Sequence, residues 1–328
     1  MSADKDLPFP SDPVLAARRT RLVTEMGPAF PGRLEAALGA VGRDPVHPAA
    51  IVPAAAVDRL IPDLALEGPE EVMLLALATA RALARPPVSG YRVGAVGLAA
   101  TSGDLVLGGN LELPGASIWH TVHGEGFVTL LARARGELVR TLAIAQARPC
   151  AHCRQVLAEM DGAHGSPERP DGLRIIDPHG RVLRLADVYP WPFAPGDQGM
   201  DGARPAERAW PDLRLADAGL PAGVADALVA AGARSHAPYS STPAAVALRC
   251  ADGTTWTGAV LESVAFNPTI GPLQDALVGL LASGHELPDL VSAWIAVPRD
   301  ALVDHVAATR AALAAAAPGI GLYVTYWS

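Results

Sequence analysis

The chain has 328 residues, of which 50% are hydrophobic and 18% are charged, and its formal net charge is −8. This composition can fill more than one hydrophobic core, excludes a disordered protein, and offers no electrostatic attraction to polyanions such as nucleic acid. The opening MSADKDLPFP lacks the run of about 7 to 15 apolar residues typical of a secretory signal, and no stretch is long enough to span a membrane. We therefore expect a cytoplasmic protein of two domains.

The first part of the chain is predicted to be helical. PVLAARRTRLVTEMG and GRLEAALGAV read as two helices separated by Pro and Gly. A stronger helix is predicted at GPEEVMLLALATARALA, where Glu70 and Glu71 suit the positive end of the helix dipole and Pro86 ends the pattern.

From Tyr91 onward, strands alternate with helices. YRVGAVGLAA and DLVLGGNLEL are predicted strands, followed by a helix at HGEGFVTLLARARGE, a strand at TLAIAQA, a helix through CRQVLAEM and a strand at LRIIDP. This alternation indicates a sheet with helices packed on it. The following PWPFAPGDQGMDGARPAERAWPD is rich in Pro, Gly and charge, which is typical of an arm or linker.

The last part of the chain repeats the pattern at a constant offset of 150 residues. DLVLGGNLEL falls on TTWTGAVLES, which pairs Gly108 with Gly258 and Glu112 with Glu262. The same offset places His123, Gly124 and Glu125 on Leu273, Gln274 and Asp275, and Cys150 and Cys153 on Asp300 and Val303. The pattern predicts a duplicated fold whose second copy has lost the reactive groups.

Two cysteines and a histidine indicate a metal site. The chain has only three cysteines, too few for a disulfide framework, and Cys150 and Cys153 open a predicted helix whose dipole favours thiolates. Two thiolates and one His can hold Zn²⁺ with one coordination position open, and His123 is the natural third ligand because it begins its own predicted helix. Glu125 can reach the open position without being a ligand and can accept a proton there.

Other interpretations of these residues stay open at this point. A lone HxE is common, and a lone CxxC also fits a redox pair or a structural half-site. A structural zinc site would need a fourth ligand, for which His152 and His120 are candidates. However, HxE followed by PCxxC is the signature of zinc deaminases, and this chain has HGE at 123–125 and PCAHC at 149–153.

From about residue 50 to its end, the sequence resembles the bacterial homodimeric, long-form cytidine deaminases. The motifs GGNLE, TVHGE, PCAHCRQVLAEM, SHAPYSSTPAAVAL and AFNPTIGPLQ carry this resemblance. It implies an α/β fold, namely a duplicated three-layer α-β-α sandwich of a mixed sheet with helices on both faces, and a homodimer. The expected boundaries are 1–48 for a helical N-terminal region, 49–189 for the catalytic zinc domain, 190–217 for the arm and 218–328 for the degenerate domain.

The resemblance also implies roles for individual residues. It makes His123, Cys150 and Cys153 the ligands of one Zn²⁺ ion per chain. Glu125 would take a proton from water, deliver it to N3 of the base and help the amine leave as ammonia. Asn110 and Glu112 match a pair that binds the ribose hydroxyls, although they could equally be a turn residue and a solvated strand end.

Four further positions follow from the same resemblance. Tyr91 falls where the family has an aromatic residue against the base, although a strand tyrosine is more often simply packed. Phe193 matches an aromatic residue of the arm, and Arg154 could either donate hydrogen bonds to the thiolates or lie on the surface. Gly124 stands where the family usually has Ala, which weakens the helix start by about 0.5–1 kcal/mol.

The leading functional prediction is zinc-dependent hydrolysis of cytidine and 2′-deoxycytidine to uridine and 2′-deoxyuridine, for pyrimidine salvage. The alternatives are a deaminase of a modified cytosine nucleoside or of cytosine in single-stranded nucleic acid, and a nucleoside-binding protein without activity. The acidic charge and a bound 3′-hydroxyl argue against nucleic acid. The intact ligands and Glu125 argue against a non-enzyme.

Overall fold

Two β-sheets organise the chain, and helices pack on both. The computed structural model describes residues 9–144, 148–162, 172–200, 209–216 and 219–328. Its helices are α1 (Pro13–Met26), α2 (Phe30–Val41), α3 (Ala54–Asp63), α4 (Pro69–Ala82), α5 (Gly124–Ala134), α6 (Ala151–Leu157), α7 (Leu185–Val188), α8 (Val224–Ala233), α9 (Pro272–Ala282) and α10 (His305–Ala316). Its strands are β1 (Ile51–Val52), β2 (Gly94–Ala99), β3 (Leu105–Gly109), β4 (Val139–Ile144), β5 (Arg174–Ile176), β6 (Val182–Arg184), β7 (Ala245–Cys250), β8 (Thr255–Ala259), β9 (Leu290–Val297) and β10 (Leu322–Tyr326).

The first sheet is mixed and covered on both faces. Its strand order is β1-β3-β2-β4-β5-β6, with β4 and β5 parallel and the other pairs antiparallel. A Cβ atom added to Gly94 would lie 2.7 Å from the backbone nitrogen of Arg81 in α4, and one added to Gly97 would lie 2.5 Å from Cγ1 of Val128 in α5. Helices therefore lie on opposite faces of β2, and the predicted three-layer sandwich is confirmed.

Two consecutive glycines in β3 allow the helices to approach the strand closely. A Cβ atom on Gly108 would lie 2.8 Å from the carbonyl oxygen of Gly124, at the start of α5. A Cβ atom on Gly109 would lie 2.3 Å from the backbone nitrogen of Ala84, just after α4. Any side chain at these positions would push the helices away from the sheet, so the glycines fix where α5 begins.

The second sheet repeats part of the first. Its order is β10-β9-β7-β8, with β10 and β9 parallel. Helix α9 lies on β8 as α5 lies on β3, because a Cβ atom on Gly258 would lie 2.2 Å from the backbone nitrogen of Ala276. The units β2, β3, α5, β4 and β7, β8, α9, β9 follow the same order, which confirms the predicted duplication.

The N-terminal helices pack on the first copy, and the two copies pack on each other. Helix α1 contacts α4, α2 contacts α3 and α4, and α5 contacts α9. Ion pairs from Arg18 to Glu71 at 2.7 Å and from Arg19 to Glu70 at 2.9 Å hold α1 against α4. The domain boundaries at residues 48, 189 and 217 stay a prediction. Residues 201–208 and 217 of the expected arm lie outside the described residues, and so do residues 145–147 of the predicted strand that forms β4.

Within the described ranges, every helix is too short or too polar to cross a membrane.

The constant offset of 150 residues is wrong at the start of α5. Leu111 is bridged to Val122 and Leu261 to Ile270, so the loop before the helix is shorter by two residues in the second copy. A fixed offset cannot follow a change in loop length. The structural counterparts of His123, Gly124 and Glu125 are therefore Gly271, Pro272 and Leu273, and not Leu273, Gln274 and Asp275.

The offset is also wrong at the second helix that carries ligands. Cys150 caps the N-terminus of α6 and Asp304 caps that of α10. The Cys150 sulfur accepts from the backbone N–H three residues on, at Cys153, and the Asp304 carboxylate accepts from the N–H of Ala307. The counterparts of Cys150 and Cys153 are thus Asp304 and Ala307, and not Asp300 and Val303. With glycine and alanine at two of the three positions, the second copy lacks the equivalent ligand set.

Candidate metal centre and active site

Two helix N-termini bring His123, Cys150 and Cys153 together. The Nδ1 atom of His123 lies 3.5 Å from the sulfur of Cys150 and 3.3 Å from that of Cys153, and the two sulfurs are 3.6 Å apart. With Zn–S and Zn–N distances of about 2.3 and 2.0–2.1 Å, tetrahedral donors lie roughly 3.3–3.8 Å apart. The donor types and their spacing therefore fit one zinc ion.

The helix starts explain this convergence. His123 is the N-cap of α5, and Cys150 is the N-cap of α6. Because each N-cap residue has an extended backbone, its side chain stands beyond the helix end instead of along it. The positive ends of the two helix dipoles favour negative charge on the sulfurs. The glycines of β3 hold the start of α5 in place, and with it His123.

The candidates for a fourth protein ligand lie elsewhere. Among the described residues, this metal-binding group consists of His123, Cys150 and Cys153 alone. His152 stacks on Trp119 with ring centroids 5.7 Å apart, and His120 has a buried Nδ1 atom without a hydrogen-bond partner. A three-ligand group with an open position is the arrangement of a catalytic zinc site, not of a structural one.

Hydrogen bonding divides the protons of the two cysteines unequally. A hydrogen bond from Cys153, assisted by one from His123, lowers the pKa of Cys150 to about 3 against the opposing effect of burial. The same bond between the sulfurs, together with burial, raises the pKa of Cys153 well above its usual range. The hydrogen bond to Cys150 also raises the pKa of His123. Metal binding requires two thiolates and a neutral imidazole, so the ion would displace these protons.

Glu125 is buried beside the ligands. Its side chain is 3% exposed, lies in the first turn of α5, and is within hydrogen-bonding reach of the Cys153 thiol. Burial raises the pKa of the Glu125 carboxyl group. A carboxyl group with a raised pKa next to a metal site is suited to accept a proton and to give it back.

Asn110 and Glu112 hold the backbone that leads into β2. The Asn110 carboxamide accepts from Val93 N–H at 2.9 Å and donates to the Tyr91 carbonyl at 2.9 Å. The Glu112 carboxylate accepts from Val88 N–H at 3.0 Å and from the N–H and hydroxyl of Ser89 at 2.8 and 2.6 Å. Burial opposes ionisation of Glu112, but hydrogen bonds from Ser89 and Val88, and to a smaller extent the charge of His123, lower the pKa of its carboxyl group.

The second copy repeats the Glu112 contacts. Glu262 accepts from the backbone N–H groups of Tyr239 and Ser240 at 3.0 and 3.2 Å, and from the Ser240 hydroxyl. Because these contacts occur in a copy without the metal ligands, they have a structural role that does not depend on chemistry at the metal.

The remaining predicted site residues are Tyr91, Phe193 and Arg154. Tyr91 and Phe193 are 50% and 40% exposed, and the Phe193 carbonyl accepts from Gln155 of α6 at 2.7 Å. The Arg154 guanidinium donates to the carbonyls of Pro149 at 2.8 Å and Val188 at 3.2 Å. These bonds support the segment that carries Cys150 instead of reaching the sulfurs.

The second copy also forms part of the wall beside the metal ligands, which the sequence patterns missed. A cavity of about 110 Å³ is lined by His123 and Cys153 from the first copy and by Pro268, Ile270 and Gln274 from the second. Gln274 is 7% exposed and lies in α9, which packs on α5. The quoted motif AFNPTIGPLQ contains these residues, but the sequence alone gave no reason to place them at the other copy's site.

Comparison with known proteins identifies both copies. Residues 66–164 and 208–310 each match the family described as cytidine and deoxycytidylate deaminase zinc-binding region. Solved structures similar to part of the chain include cytidine deaminase from Mycobacterium tuberculosis, at 31% identity over 36% of this chain and 90% of that one, with a TM-score of 0.30. The cytidine deaminase from Burkholderia pseudomallei matches at 25% identity over 37% of this chain and 97% of that one, with a TM-score of 0.32. The two family matches together span more than half of the chain.

Proposed function

The chain belongs to the cytidine and deoxycytidylate deaminase zinc-binding family, and we propose that its first copy deaminates free cytidine and 2′-deoxycytidine to uridine and 2′-deoxyuridine, for pyrimidine salvage in the cytoplasm. The observation that carries this proposal is the buried Glu125 beside three zinc-type donors with no fourth protein ligand among the described residues. That arrangement supports hydrolysis, because it leaves room for water and supplies a group to move its proton.

We assign the zinc ligands to His123, Cys150 and Cys153. When bound, the ion would lower the pKa of water so that hydroxide is available near neutral pH. The two thiolates would balance its charge. Because both sulfurs stand at a helix N-terminus, the protein stabilises them without a further cation.

Glu125 carries the proton transfers. Its carboxylate accepts a proton from the attacking water and delivers it to N3 of the cytosine ring, while oxygen adds to C4. The same carboxylate then takes the proton of the new C4 hydroxyl group and delivers it to the N4 amine, so that the C4–N4 bond breaks, ammonia leaves and C4 keeps a carbonyl oxygen. One residue can serve both transfers because burial raises its pKa toward the working range.

The nucleoside would be held by residues at the end of β3 and on the arm. Asn110 and Glu112 bind the ribose hydroxyls, including the 3′-OH, which leaves no room for a continuing phosphodiester chain. Tyr91 and Phe193 contact the base with their exposed rings. The net charge of −8 also favours an uncharged nucleoside over a polyanion.

We further propose that the protein works as a homodimer of the long form. Large apolar side chains are exposed near the metal group and on the arm: Ile118 is 78%, Trp119 is 63% and Trp191 is 90% exposed. Large exposed apolar side chains are typical of interaction surfaces, and a second copy would cover them.

Glu112 and Glu262 make equivalent hydrogen bonds in the two copies, which provides a matched test of the ribose contact. We expect Glu112→Gln to lower kcat/KM for cytidine about 10-fold or more, because a charged hydrogen bond is worth about 1.5–3 kcal/mol. Glu262→Gln removes the equivalent charge from the equivalent turn and should lower thermal stability while kcat/KM stays at the wild-type value. Steady-state kinetics and thermal unfolding of both variants separate the two roles. Equal losses of kcat/KM in both variants would show that Glu112 acts only through the fold.

A further inference from the structure

A second group of metal-binding side chains lies in the second copy, away from the His123 site. It consists of Cys250 at the end of β7, Asp252 in the turn to β8, and His285 after α9. Their ligand atoms all lie within 4.8 Å of one another. Residues 35 positions apart in sequence thus meet at one end of the second sheet.

Hydrogen bonds fix the orientation and tautomer of His285. The Ser283 hydroxyl donates its one hydrogen to the Leu280 carbonyl at 2.7 Å, so it can only accept from Nδ1 of His285, which is also 2.7 Å away. In the neutral imidazole, the proton therefore sits on Nδ1 and the lone pair on Nε2. A partner on the other ring nitrogen is the usual support of a metal-binding histidine.

The lone pair on Nε2 faces a carboxylate and, at 3.4 Å, the hydroxyl oxygen of Thr254. Nε2 of His285 lies 3.0 Å from Oδ2 of Asp252. The other carboxylate oxygen, Oδ1, already accepts from the backbone N–H and the hydroxyl of Thr254, at 2.9 and 2.7 Å. Two acceptors this close repel each other unless a cation lies between them, either a proton or a metal ion.

The third donor makes a metal ion the better occupant. A proton on Nε2 would join only His285 and Asp252, whereas a metal ion would also use the sulfur of Cys250, which is 1% exposed. Sulfur, imidazole nitrogen and carboxylate oxygen together are a donor set that zinc accepts.

We propose that Cys250, Asp252 and His285 bind a second Zn²⁺ ion, which ties the turn between β7 and β8 to the segment after α9. The ion would hold these two segments together, with water at its fourth coordination position. This site does not depend on the proposed function of the first copy.

Metal counting on the full chain tests the proposal. The protein is stripped with a chelator, reloaded with Zn²⁺, passed through a desalting column and analysed for bound zinc. We expect two ions per chain in the wild type and one in Cys250→Ser, Asp252→Asn and His285→Gln. Glu286→Gln is the matched control, because that neighbouring carboxylate pairs with Arg85 outside the group. It should keep two ions.

Because Cys250 is buried and its variant can lose stability, the decision rests on Asp252→Asn and His285→Gln. In a Cys150→Ala background, zinc should raise the melting temperature, and His285→Gln should abolish that rise. One ion in the wild type, or two ions retained in both surface variants, would overturn the proposal. A protein with two ions but no turnover would refute the proposed deamination and leave this site standing.

Discussion

Substitution of Glu125 by glutamine is expected to lower kcat for cytidine by about 10²–10⁴-fold, the usual contribution of a positioned general acid-base group. Glutamine has nearly the same shape but cannot accept a proton from water. The fold should tolerate the change, because a neutral amide in this buried position avoids the desolvation that raises the pKa of Glu125. The decrease in ultraviolet absorbance of cytidine measures kcat.

The control for this variant is Glu35→Gln, which alters an exposed carboxylate on α2. Its turnover should equal that of the wild type. Both variants should bind as much zinc as the wild type, since neither residue is a proposed ligand. If Glu125→Gln kept wild-type kcat with full metal content, another group would have to move the proton and the proposed mechanism would be wrong.

Loss of one proposed zinc ligand should have an effect of similar size. We expect Cys150→Ala to bind one zinc ion fewer per chain than the wild type and to lose more than about 100-fold in turnover, since even residues that only support ligands contribute roughly 10–100-fold. Added Zn²⁺ should restore chelator-treated wild type but not this variant. Metal analysis and cytidine turnover on the same samples measure both effects.

The second copy supplies a close control, because Asp304 caps α10 as Cys150 caps α6. Asp304→Ala should cost about 0.5–2 kcal/mol of stability through the lost cap. Its zinc content and kcat should not change. If Cys150→Ala behaved like Asp304→Ala, with stability reduced and zinc retained, the sulfur would be a helix cap and not a ligand.

Local sequence patterns predicted the elements that carry the site. The spacing of the apolar residues, together with Glu and Pro at the two ends, predicted α4. The pattern in HGEGFVTLLARARGE predicted α5 to within a few residues at each end. The grouping of His123 with the CxxC followed from helix starts, because helix N-termini gather polar ligands. These features depend on neighbours in sequence, which is why one sequence was sufficient to find them.

Features that depend on tertiary structure escaped prediction. The shorter loop before α9 shifted the true counterparts of His123 and Glu125 by two residues, and no residue pattern marks that deletion. The hydrogen bonds from the turn at residues 88 and 89 to Glu112 join residues that are more than 20 positions apart in sequence. Likewise, His285 meets Cys250 only because β7 and α9 end at the same side of the second sheet.

A comparison of substrates for the zinc-loaded wild-type protein tests the proposed deamination of free nucleosides most directly. Cytidine, 2′-deoxycytidine, deoxycytidylate and a single-stranded oligonucleotide containing cytosine are incubated with the enzyme, and the deaminated product and ammonia are quantified. We expect equal amounts of uridine and ammonia from cytidine, and much slower reaction of the nucleotide and the oligonucleotide. Turnover of deoxycytidylate or the oligonucleotide with cytidine left intact would contradict it.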